Sequence, residues 1–210
     1  MKLYYSNTSP YSRKVRLVII EKGLEDHIEE ILVNPFGNET DALVATNPLG
    51  KIPTLQLDNG STLYDSPVIC RYLDSLKESP LLLSNDKEMY WDILRWEAMT
   101  DGMTDAAYNL VMERKRPVDE QSITWITRWS EEIQRVLEYI EAHIKEILNK
   151  ELTLAQLALA SAIGYLEFRL PEVLYDSACP KVSVCPETMN WYQSFKKRPA
   201  MIATIPFDFK

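Results

Sequence analysis

The run Asn47-Pro48-Leu49-Gly50-Lys51-Ile52-Pro53-Thr54-Leu55 constrains this chain more than any other. Two prolines five positions apart bracket a glycine, and an alternating segment, Thr54-Leu55-Gln56-Leu57, follows at once. Asn-Pro and Leu-Gly are turn signals, and a residue before proline is pushed towards extended geometry. Proline cannot donate to a central ladder, so Pro53 must open a strand or lie beside one. The Ile52 peptide therefore enters an extended segment with its N–H and C=O unpaired, open to an extended peptide ligand. A cis Ile52–Pro53 bond would fix that presentation. The plainer alternative is a loop leading into an edge strand.

The elements around this loop read in order. Lys2–Tyr5 is a short strand, and Ser9-Pro10 starts a helix with a capping hydroxyl and a proline in the first turn. Gly23 stops that helix, and a second strand runs over 28–33. A crossover of this length joins parallel strands in the right-handed sense. A short helix is possible at 40–45. Beyond Pro53, Asp58-Asn59-Gly60 marks a hairpin, and Asp65-Ser66-Pro67 starts a helix over 67–76. The stretch 78–86 has linker character, with Ser84 or Asp86 able to cap the next helix.

From there the pattern is helical. Trp91, Leu94, Ala98 and Met99 recur at helical spacing within 88–115. Ile126, Ile133, Leu137, Ile140, Ile144 and Ile147 mark an amphipathic helix over 120–148. Thr153-Leu154-Ala155-Gln156 is a capping-box pattern. The helix it opens, 154–168, is apolar nearly all round and so belongs at the centre of this half. A last helix is expected over 186–197. The predicted architecture is an α/β domain (1–77), a linker (78–86) and an all-helical domain (87–210).

Composition narrows the function. A net charge of −8, from 23 basic and 31 acidic residues, argues against nucleic-acid or anionic-membrane partners. The basic triplets 114–116 and 196–198 read as C-terminal turns of helices before a proline. No apolar run reaches the ~18 residues of a membrane span. Three cysteines and no signal-like N-terminus suit the cytoplasm. Cys179-Pro180 and Cys185-Pro186 read as a loop pair without a disulfide. His27 and His143 lie far apart, and no Cys/His spacing suggests a metal.

Ser9 is either a cap or a hydroxyl presented at a helix N-terminus, where unpaired N–H groups and the dipole favour an anion such as a thiolate. It has no evident His or Asp partner, so it reads as a donor and not a nucleophile. Asp65 and Ser66 are a cap, or a pair able to hold an ammonium and a carboxylate. Lys51 is a solvated loop lysine or a carboxylate partner.

The set Ser9-Pro10-Tyr11-Ser12-Arg13-Lys14-Val15-Arg16, Asn47 to Pro53 and Asp65-Ser66 resembles the cytosolic glutathione S-transferase superfamily, closest to bacterial members with Ser-Pro-Phe/Tyr at this site. The resemblance extends along the whole chain. It implies a thioredoxin-like domain followed by an all-helical domain, glutathione as co-substrate, a small apolar electrophile and a homodimer. Ser9 would hydrogen-bond the glutathione sulfur, and Ile52 before Pro53 would pair with its cysteinyl backbone. Asp65 and Ser66 would bind its γ-glutamyl end, with Lys51 near its glycine carboxylate. Asp101 resembles an acidic residue that reaches the neighbouring subunit's glutathione; a solvated pair with Asp105 is the alternative. Tyr5 is a second candidate for the thiol-activating role. Tyr11, Met99, Met103 and Tyr108 are candidates for the electrophile pocket. Two departures stand out: Gln156 replaces the usual aspartate of the central helix's capping box, and serine stands where thiol-disulfide members carry cysteine. Conjugation, isomerisation and dehalogenation stay open, as does a non-catalytic interaction module.

Overall fold

The computed structural model describes residues 1–37, 40–148, 151–175 and 185–208. Strand β1 (Lys2–Tyr5) pairs in parallel with β2 (Glu29–Leu32) and antiparallel with β3 (Thr54–Gln56), which pairs antiparallel with β4 (Thr62–Leu63). The sheet order is β2-β1-β3-β4. Leu3 and Leu55 face each other across the β1–β3 ladder and are fully buried, because helices α1 (Pro10–Glu21) and α3 (Ser66–Ser75) pack on this half. Helix α2 (Thr40–Thr46) precedes the Asn47–Pro53 loop.

The local signals act as chemistry dictates. Ser9 Oγ accepts from Ser12 N at 3.2 Å and caps α1. At the other end Gly23 takes φ +58°, and Leu24 N and Gly23 N close back on the carbonyls of Ile19 and Ile20. That left-handed closure favours glycine because a Cβ would crowd the carbonyl.

Buried Asp74 fixes the path out of the α/β half. Its carboxylate accepts from Leu82 N (2.9 Å), Leu83 N (3.0 Å) and Lys22 Nζ (2.8 Å), and Lys22 also donates to Pro80 O at 2.5 Å. A buried ion pair with its remaining valences satisfied is the form a low-dielectric interior tolerates.

The second half holds α4 (Lys87–Arg114), α5 (Ile123–Ile147), α6 (Leu154–Arg169), α7 (Pro171–Tyr175), α8 (Pro186–Phe195) and α9 (Pro199–Ala203). A thioredoxin-like half followed by a helical half is the expected fold. Asp86 caps α4 by accepting from Met89 N at 2.9 Å, and α6 is buried on nearly every side. Three details differ from the sequence pattern. The short helices α7 and α9 carry no periodic signal long enough to detect. Helix α5 begins at Ile123 behind a 3-10 turn, with Ser122 as its cap.

The third difference is the buried face of α4. Trp91 is 59% exposed, while Ile93, Trp96, Glu97, Thr100, Met103 and Ala107 are buried. Apolar spacing misplaces this face because Glu97 belongs to it: Lys14 and Arg71 neutralise its carboxylate at 3.1 and 2.9 Å. Residue Cys179 of the expected cysteine loop lies outside the described residues; Cys185 is buried, its Sγ 3.5 Å from Leu137 O.

Helix α1 joins the two halves. Ser161 Oγ on α6 donates to Pro10 O at 2.7 Å, and Arg198 holds Glu21 through two bonds of 2.8 and 2.7 Å. Arg13 donates to Met201 O and Thr204 Oγ1. One continuous core contains both Leu3 and Val15 of the first half and Leu159 and Ile163 of the second.

Candidate functional site

A cleft of about 620 Å³ lies between the halves. Its first wall is the α/β half: Thr8, Ser9, Tyr11, the Asn47–Pro53 loop, and the start of α3 at Asp65 and Ser66. Its second wall comes from α4 and α6, with Asp105, Tyr108, Met112, Lys115, Tyr165 and Arg169. The N-termini of α1 and α3 both meet the cleft, which suits anionic groups on a ligand.

The loop is held from beneath by two of the run's own side chains, Asn47 and Thr54. Asn47 is buried; its Nδ2 donates to Lys51 O and Thr54 Oγ1 at 3.0 Å each, and its Oδ1 accepts from Leu49 N. Thr54 Oγ1 donates to Lys51 O at 2.8 Å. These bonds fix the loop's course, and the Ile52–Pro53 peptide is cis. Pairing along β3 is confined to Thr54–Gln56, so Ile52 sits outside the ladder while lining the cleft.

Asp65 stands at the N-cap position of α3 in extended geometry, yet its side chain makes no capping bond. It is exposed at the cleft beside buried Ser66. A carboxylate not used by its own helix is placed to receive a cationic group. Lys51 is exposed and also lines the cleft.

The tyrosines separate. Tyr11 donates its O–H to Asp105 across the cleft. Burial, then that bond, pushes the phenol well above the ordinary tyrosine range. Its proton is thus committed to Asp105, whereas Ser9 accepts from Ser12 N and retains its O–H for donation. Tyr5, at the end of β1, lies with Arg16 stacked 4.6 Å from its ring centroid and does not line the cleft. Tyr108 does line it.

Met103 is fully buried and Met99 packs on the core, so neither reaches the cleft. Asp101 is engaged inside the chain: Lys14 Nζ reaches its two oxygens at 2.8 and 2.6 Å. Asp105, its partner in the alternative solvated-pair reading, is bonded to Tyr11 instead.

Sequence reasoning placed Lys115 only in a basic triplet ending a helix and did not single out Tyr165 or Arg169. The three come from the ends of two helices, and only packing brings them to one wall. Burial pushes the Tyr165 phenol up to about 12. Among the described residues, no group of His, Cys, Asp and Glu could hold a metal ion, and no helix is long and apolar enough to cross a membrane.

Comparison with known proteins agrees with this fold. The family model for the N-terminal domain of glutathione S-transferase matches residues 8–76. The GST-like protein YibF of Escherichia coli (strain K12) is 35% identical over 172 residues, covering 80% of this chain and 83% of YibF. A glutathione S-transferase from Methylobacillus flagellatus KT, solved with glutathione bound, superposes with a TM-score of 0.88 at 35% identity; 98% of this chain and 99% of that one are covered. A glutathione transferase family member from Pseudomonas fluorescens Pf-5, solved with S-(propanoic acid)-glutathione, gives 0.87 at 32% identity, covering 99% and 100%.

Proposed function

Because the chain belongs to the glutathione S-transferase family, we propose that its cleft binds glutathione and transfers the thiolate to a small electrophile. The observation that carries this reading is the pairing of Ser9, at the α1 N-terminus, with an Asn47–Pro53 loop whose Ile52 lies outside the β ladder. Glutathione supplies the sulfur nucleophile. Ser9 donates its O–H to that sulfur and, with the α1 dipole, lowers the thiol pKa. A shift of one to two units needs about 1.4–2.7 kcal/mol, within reach of one charge-assisted hydrogen bond and a helix terminus. Ile52 pairs with the extended backbone of the tripeptide, Asp65 and Ser66 take its γ-glutamyl end, and Lys51 takes its glycine carboxylate.

The second wall then receives the electrophile: Tyr108, Met112 and Tyr165 supply contact area, and Tyr11 ties the two walls through Asp105. With an aryl halide, the C–S bond forms as the C–halide bond breaks. The halide leaves, and the thiol proton passes to solvent. The Pseudomonas relative's S-substituted glutathione supports a cleft that accepts a substituent on the sulfur. The reading includes a cytoplasmic homodimer. With Asp101 bound to Lys14, the glutathione site relies on residues of one chain.

Calorimetric titration with glutathione, paired with an ultraviolet difference spectrum for bound thiolate, tests this on wild type and Ser9→Ala. Binding with a thiolate signal that Ser9→Ala abolishes is the expected result. Binding with the same signal in both proteins removes Ser9 as activator. No binding at millimolar glutathione overturns the enzyme reading.

A further inference from the structure

The far end of the second wall carries two cations, Lys115 at the close of α4 and Arg169 at the last residue of α6. Among the described residues Lys115 has no carboxylate within ion-pair distance. Neighbouring Arg114 is turned elsewhere, to Glu172. Arg169 stacks over the Phe168 ring at 4.0 Å, and its fork is already filled by a carboxylate of the same chain. Nη1 and Nη2 donate to the two oxygens of Asp208 at 2.7 and 2.6 Å. Asp208 lies four residues beyond Thr204, in the segment that follows α9, and is not itself part of the cleft lining. The Arg169 bonds, with Lys115 adding to the pull, hold the Asp208 carboxyl below the usual carboxylate range.

We propose that Arg169 and Lys115 form a recognition site for a carboxylate on the electrophilic substrate, and that Asp208 occupies the Arg169 fork until that carboxylate displaces it. The inference rests on the transferase reading for the reaction, but the site stands on its own geometry. A planar two-pronged guanidinium is complementary to a carboxylate, and the group seated in it is a carboxylate. The occupant can leave: Asp208 is 60% exposed and lies in the segment that follows α9, so its carboxylate returns to water when it quits the fork. An incoming acid gains the same two bonds plus Lys115 and the apolar wall. Asp105, at the Tyr11 side of the cleft, repels an anion there and so directs it to the Arg169 end. The substrate class is a small electrophile with a carboxylate set apart from its reactive carbon.

Two variants separate this from a mere tie for the tail. Arg169→Gln and Asp208→Asn both break the Arg169–Asp208 pair, yet the proposal requires them to act in opposite directions. The probes are 4-chloro-3,5-dinitrobenzoate and its methyl ester, conjugated with glutathione with loss of chloride. The readout is the acid-to-ester ratio of kcat/KM. It should fall about 10-fold in Arg169→Gln, the loss of one charge-assisted pair, and rise about threefold in Asp208→Asn. Equilibrium dialysis of unreactive 3,5-dinitrobenzoate, without glutathione, should show the same opposed changes in Kd. Ratios and Kd values that stay within twofold of wild type, or that move in one direction in both variants, overturn the carboxylate site even when ester conjugation proceeds. Opposed Kd changes without conjugation of either probe would instead leave the site standing and overturn the transferase reading.

Discussion

At the scale of single residues, Ser9 and Gly164 illustrate two kinds of requirement. Ser9 is needed for its O–H. Ser9→Ala should leave the fold intact apart from a weakened cap and lower kcat/KM by roughly 10- to 1000-fold, about 1.4–4 kcal/mol of transition-state stabilisation. Steady-state kinetics with a reactive aryl halide checks this, and a change under twofold removes the role. Gly164 is needed for its missing side chain. A Cβ there would come 3.1 Å from Tyr192 Oη and would collide with Arg13 Nη1. Arg13 is buried and bonded to Met201 O and Thr204 Oγ1, so it cannot simply swing aside. Gly164→Ala should cost about 1–3 kcal/mol, or roughly 2–10 °C in Tm, read by calorimetric melting. Neither collision is visible in the run Ala162-Ile163-Gly164-Tyr165, since Arg13 is 151 positions away from that glycine.

At the scale of elements, the start of α6 explains a departure that sequence reading could only note. Gln156 serves the capping box, its Oε1 accepting from Thr153 N at 3.3 Å. Its Nε2 also donates to Ile147 O at 3.0 Å and to Glu151 O at 3.4 Å, fastening the end of α5 to the start of α6. An aspartate can accept but cannot donate, so it would complete the box and abandon those carbonyls. Gln156→Asp should therefore destabilise by about 1–3 kcal/mol, the cost of unpaired buried acceptors, despite restoring the commoner capping residue. A denaturant midpoint equal to or above wild type would refute this. The capping box of α6, the proline starts and the α5 stripe were legible because their physics is local, decided within about four residues. The buried face of α4 was not, because Glu97 becomes a core residue only once Lys14 and Arg71 arrive from other helices.

For the whole molecule, the dominant electrostatic feature is a set of protons held tightly by burial. The thiol of Cys70 and the phenols of Tyr11 and Tyr192 are pushed well above their ordinary ranges, with Cys185 raised to about 11 and Tyr165 to about 12. A group whose folded pKa is raised contributes stability that is fully present below its unfolded value and is lost as pH climbs towards the folded one. The unfolded values are about 8.5 for cysteine and 10 for tyrosine, so the loss begins near pH 9. Each group adds a slope of up to about 1.4 kcal/mol per pH unit above its unfolded pKa. Melting curves should be nearly level from pH 7 to 8.5 and fall steeply between pH 9 and 11. A Tm that holds to pH 10.5 would contradict the burial of these groups.

The sequence by itself determined the order of elements, their main caps and stops, the exposed approach at Ile52 and the polar set Ser9, Lys51, Asp65 and Ser66. The order, caps and stops follow from backbone constraints and hydrogen bonding between near neighbours, and the polar set was drawn together by the family resemblance. Only the tertiary structure decided which residues form the second wall. Lys115 closes α4 while Tyr165 and Arg169 lie on α6, and Asp208 reaches Arg169 from 39 positions away. It also decided that Asp101 belongs to Lys14 and Tyr11 to Asp105. Charge pairing and burial act through space, and the spacing of letters along a chain does not encode those distances.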